Sequence, residues 1–156
     1  MNTYEELQEE ACNDGIEIID NYAFKSELIS GLYCDSTIAL SKNLKRTTEK
    51  KCVLAEELGH HYTAVGDIID QSSVENRKQE MRGRIVAYNK LVGLRGIVDA
   101  YLHHCQSISE SAEYLEVTEE FLIDSLNYYR NKYGVYTKLD NYVIVFEPNI
   151  AVLELV

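Results

Sequence analysis

Leu54-Ala-Glu-Glu-Leu-Gly-His-His61 carries the chemistry of this chain. On a helix, residues i and i+4 lie one above the other on the same face, so Glu56 and His60 bring a carboxylate oxygen and an imidazole nitrogen to one spot. Glu57 sits about 100° further round. This is the spacing of the HExxH zinc helix, whose first and last residues hold the metal while the Glu between them takes a proton from the metal-bound water. Glu56 stands where that motif has its first His. A catalytic zinc takes three protein ligands and keeps a position for water, so a further ligand has to come from another element, and Glu80 is the candidate. His61 points about 100° away from His60 and reads as a group beside the metal or on the substrate side, or as a bystander.

Outward from this stretch, the helix opens at Thr47–Glu49 and carries Cys52, Val53, Leu54, Leu58 and Tyr62 as an apolar stripe. Before it, Tyr4–Cys12 reads as a helix stopped by Asn13-Asp14-Gly15, and Ile16, Ile18 and Ile19 begin an extended run. Leu32-Tyr33 and Thr37–Leu40 read as an antiparallel pair around Cys34-Asp35-Ser36. Thr37–Leu40 is expected to be an edge strand beside the metal helix, holding extended substrate through its backbone. After the helix, a polar segment over Asp67–Ser73 leads to a long helix from about Val74 to Val92. Met81, Ile85, Tyr88, Leu91 and Val92 are its expected buried side.

Beyond Gly93 and Gly96, helical patterns run over Leu94–His103, Ser107–Leu115 and Thr118–Tyr133, and the last is closed by Gly134. Tyr142–Phe146 and Ala151–Leu155 finish the chain as a hairpin. Ser107–Tyr133 reads as a helix-turn-helix, with Glu116-Val117 as the turn and Thr118 as the second cap. A DNA-reading helix needs basic residues early, whereas this one begins Thr118-Glu119-Glu120. No direct nucleic-acid contact is expected from it; the segment is a protein-docking module or a plain packing subdomain. His103 and His104 are read as surface residues.

Composition narrows the classes further. Asp and Glu outnumber Lys and Arg to a net charge of −11, which repels phosphate backbones and favours a basic protein partner. No apolar run approaches a membrane span, and the acidic start does not read as a secretory signal, so the cytosol is the expected compartment. Cys12, Cys34, Cys52 and Cys105 form no CxxC pair and read as reduced thiols.

An isolated Glu-Glu-x-x-His on a helix is usually a solvated face. Here it is followed by Gln79-Glu-Met-Arg-Gly-Arg-Ile-Val-Ala87, and Ala55–Thr63 with this second segment resembles the ImmA/IrrE family of metallo-endopeptidases. That family pairs an HELGH-type helix with a helix of pattern E-x-x-A-x-x-F-A whose Glu is the third ligand. Glu80, Gly83, Val86 and Ala87 match those positions, with Gly for Ala and Val for Phe. The resemblance extends through Gly31-Leu-Tyr33, Ile38-Ala-Leu40, Glu49–Cys52, the helical tail to Gly134 and Asp140–Pro148. It is strongest to the form carried by prophages and integrative elements, whose members cleave the element's repressor.

The resemblance implies an α+β protein with a zincin-like metallopeptidase domain over 1–93, containing a short antiparallel sheet. A helical, helix-turn-helix-like subdomain with a terminal β-hairpin follows over 94–156. It implies Zn²⁺ held by Glu56, His60 and Glu80, with Glu57 as the catalytic base and a repressor-like protein as substrate. Two carboxylates and one neutral imidazole cancel the charge of zinc, which makes it a weaker Lewis acid than in a site with more imidazoles. The missing first His therefore keeps a second reading open: a non-catalytic anti-repressor that binds its target on a degenerate peptidase fold.

Overall fold

The structure is a computed structural model that describes residues 3–63 and 73–156. The chain forms two compact units, Met1–Ala87 and Tyr88–Val156, so the division falls within the long helix rather than after Gly93. Each unit combines helices with a small sheet, and the class is α+β.

The first unit begins with α1 (Tyr4–Asn13), which is fixed by a reciprocal cap: the Glu6 amide donates to Thr3 Oγ1 at 3.1 Å, and the Thr3 amide donates to the Glu6 carboxylate at 2.8 Å. It ends where Gly15 takes a positive φ of 74°. β1 (Glu17–Tyr22), β2 (Gly31–Cys34) and β3 (Thr37–Ser41) form a sheet of order β1-β3-β2. The loop between β2 and β3 is two residues, Asp35 and Ser36, both at positive φ, as the twist of a tight hairpin requires.

Two expectations are corrected here. The sheet is mixed rather than antiparallel, since β3 runs parallel to β1 and antiparallel to β2. β3 is also the central strand, so Thr37–Leu40 has both backbone edges occupied and cannot hold a substrate strand. The sequence bears the reason: Ile38-Ala-Leu-Ser41 is buried throughout, and such a continuous run belongs to a strand covered on both faces.

α2 (Thr47–Thr63) and α3 (Ser73–Leu91) follow. Apart from Ser73, the polar segment expected over Asp67–Ser73 lies outside the described residues. Cys52, Leu54 and Leu58 are buried as expected, but Tyr62 is 44% and Met81 45% exposed. Tyr62 instead lies across the surface and donates its hydroxyl proton to Glu10 at 3.1 Å.

In the second unit, α3 gives way at Gly93, with φ 63°, to α4 (Gly93–Leu102). Buried Tyr129 secures this junction: its hydroxyl accepts from the Gly93 amide at 3.1 Å and donates to Asn89 at 3.0 Å. α6 (Glu119–Tyr133) has the cap read from the sequence, Thr118 on the Phe121 amide, and α5 (Ile108–Leu115) is capped by Ser107 on the Glu110 amide. Between them Glu116 adopts the left-handed conformation at φ 55°. Thr118→Ala is expected to destabilise this unit by about 1 kcal/mol. A urea midpoint equal to wild type would mean that the cap contributes nothing.

The terminal hairpin is a three-stranded antiparallel sheet of order β4-β5-β6: β4 (Tyr136–Leu139), β5 (Tyr142–Val145) and β6 (Ala151–Glu154). β4 is not apparent in the sequence, because Tyr136-Thr-Lys-Leu139 is short and half exposed. No helix among the described residues is long and apolar enough to cross a membrane.

Candidate metal centre

α2 presents Glu56, Glu57, His60 and His61, and α3 brings Glu80 to meet them. The two helices meet at glycines: a Cβ on Gly59 would run into the Gly83 backbone carbonyl, and a Cβ on Gly83 would lie 2.5 Å from His60 Nδ1. Gln79 adds a second tie, its side-chain amide donating to the Thr63 carbonyl at 3.3 Å near the end of α2. This approach sets His60 Nε2 3.2 Å from Glu80 Oε2, and Arg84, one turn along α3, lies 3.5 Å from the other Glu80 oxygen.

Glu57 is enclosed from the other side. β2 lies flat on α2, so closely that a Cβ on Gly31 would be 2.6 Å from Val53 Cγ1 and 3.3 Å from Glu57 Oε1. The Ser41 amide donates to Ser30 O, which sets the β2–β3 ladder so that Gly31 and Tyr33 turn their backbone groups away from β3. The outward Tyr33 amide is hydrogen-bonded to the Glu57 carboxyl.

The electrostatics follow from this enclosure. Burial pushes the Glu57 pKa up to about 7; His60 opposes the shift, Glu80 and Glu56 add to it, and the Tyr33 amide opposes it. For His60, burial acts to lower the pKa. The hydrogen bond to Glu80 and the charges of Glu57, Glu80 and Glu56 outweigh it, so the pKa lies above the ordinary histidine value. Glu80 is held below the usual carboxylate range, mainly by its hydrogen bond with His60.

The predicted site residues therefore separate into three groups. His60 and Glu80 come together, and Glu57 faces them from beneath β2. Glu56 acts on both Glu57 and His60 through its charge. Among the described residues, however, no three His, Cys, Asp or Glu side chains gather into a metal-holding group. His61 Nδ1 shares a hydrogen bond with the Tyr33 hydroxyl at 2.8 Å, and its Nε2 lies 3.8 Å from Asp14 beyond the end of α1. It is a strut that ties α2 to β2 and α1.

Sequence reasoning missed Tyr33, Gly31 and Asp14, all of which act across long sequence separations. Arg84 was legible as the i+4 neighbour of Glu80.

The donor set fits zinc in part. Two ligands of a tetrahedral zinc with bonds of about 2.0 Å stand roughly 3.3 Å apart, close to the observed His60–Glu80 separation of 3.2 Å. An imidazole nitrogen and a carboxylate oxygen are ordinary zinc donors. No protein-family model, curated protein or solved structure matches this chain.

Proposed function

We propose that this protein is a zinc-dependent endopeptidase that cleaves a regulatory protein in the cytoplasm, of the phage or mobile-element repressor kind suggested by its resemblance to the ImmA/IrrE family. The observation that carries the reading is the glycine-lined meeting of α2 and α3, which sets Glu80 against His60 beside a buried carboxyl. His60 and Glu80 would hold the metal, with Glu56 as the further ligand. Bound zinc supplies Lewis acidity for a water and for the scissile carbonyl. Glu57 moves the proton: it would accept one from the attacking water and deliver it to the leaving amine. The Tyr33 amide orients that carboxyl, and Arg84 steadies Glu80.

A second reading rests on Glu56, which stands in place of the motif's first His. On that reading the protein docks on its target without cutting it.

Elemental analysis after zinc equilibration and dialysis separates the two. About one zinc per chain is expected, with retention lost in His60→Ala and Glu80→Ala and weakened in Glu56→Ala. Protein that retains no zinc under any loading condition would leave the docking reading.

A further inference from the structure

β6 is the outer strand of its sheet, with β5 on one side only. The Leu155 amide donates to Asn141 O at 2.6 Å, which fixes the ladder: Ala151 and Leu153 turn their backbone groups toward β5, and Val152 and Glu154 turn theirs outward. Among the described residues nothing hydrogen-bonds to those outward groups. Exposed edges are normally guarded by Lys, Pro, bulges or a covering loop. Ala151-Val-Leu-Glu-Leu-Val156 contains neither Lys nor Pro, and Leu153 is 56% exposed.

A groove of about 620 Å³ lies among α4, α5, α6 and β6. Ile97, Leu115, Leu122 and Val152 are its buried floor, and Tyr101 and Ile150 are exposed at its sides. Val152 lines the groove and also carries outward backbone groups. A strand added to β6 would therefore direct every second side chain to the groove side.

Charge selects the occupant. Between Gly96 and Tyr129 there are seven Asp and Glu and no Lys or Arg. Glu110 is pinned beside the groove, its carboxylate accepting from the Gln106 amide at 2.8 Å, and Glu154 stands on the edge itself. Arg130, on the same stripe of α6 as Leu122 and Leu126, is held by Glu147 at 3.8 Å. A second copy of the chain would bring the same carboxylates and a net charge of −11 against its own.

We propose that the free edge of β6 takes an extended strand from a partner protein, with apolar side chains at alternate positions directed to the groove and Lys or Arg between them. No residue of the metal centre takes part, so this holds for a peptidase and for a docking protein alike.

The test titrates the whole protein, by calorimetry, with a short capped peptide alternating lysine and valine. Two controls accompany it: the glutamate-valine counterpart, and the lysine-valine peptide N-methylated on alternate amides so that it cannot pair. The lysine-valine peptide is expected to bind, more weakly as NaCl is added, and each control to bind about tenfold more weakly or worse. Glu154→Pro removes an outward N–H without touching the ladder, and is expected to weaken binding about tenfold at an unchanged urea midpoint. Ser111→Phe, which fills the groove, is expected to weaken it by a different route. Equal binding of the N-methylated peptide, or no binding by any peptide, would overturn the proposal. So would a dimer in sedimentation that Glu154→Pro dissociates, since the occupant would then be a second copy.

Discussion

Glu57→Gln is expected to lower the cleavage rate by at least about a hundredfold and, in metal-free protein near pH 8, to raise stability by roughly 3 kcal/mol. The two effects have one cause. Glu57 lies 9% exposed under β2, and its pKa rises from 4.5 to about 7. A carboxyl whose folded pKa lies above its unfolded value contributes full stability below the unfolded pKa and loses it as pH rises through the folded one. The metal-free wild type is therefore expected to weaken between about pH 4.5 and pH 7, at about 1.36 kcal/mol per pH unit.

Gln has the same shape, offers the Tyr33 amide an acceptor, and has no charge to desolvate. Its advantage should be absent at about pH 4.5 and level off above pH 7. Urea unfolding of chelator-treated proteins across this range measures it, and parallel curves at every pH would show that Glu57 is not held protonated. Cleavage assays on zinc-loaded protein measure the other effect. A Glu57→Gln protein that retained full cleavage would remove Glu57 from the proton's path.

Gly59→Ala is expected to destabilise the first unit by about 3 kcal/mol, although alanine is the better helix former by about 1 kcal/mol. The added methyl meets the Gly83 carbonyl, which is backbone and cannot rotate aside, so α2 and α3 must separate. Separation also pulls Glu80 from His60, and zinc retention should fall with stability. Gly15→Ala is a useful contrast: its φ of 74° makes it strained, but a Cβ there meets nothing, and about 1 kcal/mol is expected. Equal urea midpoints for the two variants would show that the helices do not rely on the glycine contact. Gly83→Ala meets a side chain instead, His60 Nδ1 at 2.5 Å, and should disturb the His60–Glu80 pair more than the fold. That same contact is a physical reason for glycine here, where the pattern the chain resembles has alanine.

The sequence determined what is local. The helix cap at Thr118, the ends at Gly15 and Gly134, and the placing of Glu56, Glu57 and His60 on one helix depend on spacings of a few residues. Those spacings act through hydrogen bonds and helical geometry within a turn. It also named Glu80, since the second motif lies on one helix.

What the tertiary structure alone decided rests on pairings between distant segments. β3 became central because β1 and β2 both reached it, and an apolar run reads the same whether its neighbours come from one side or two. Tyr62 and Met81 satisfy a helical stripe in the sequence, yet both are exposed in the fold. Glu57 has a pKa near 7 because β2 closes over it through Gly31 and Tyr33, far from it in the chain. Burial of a charge depends on which surfaces meet, and that is settled only when the chain has folded.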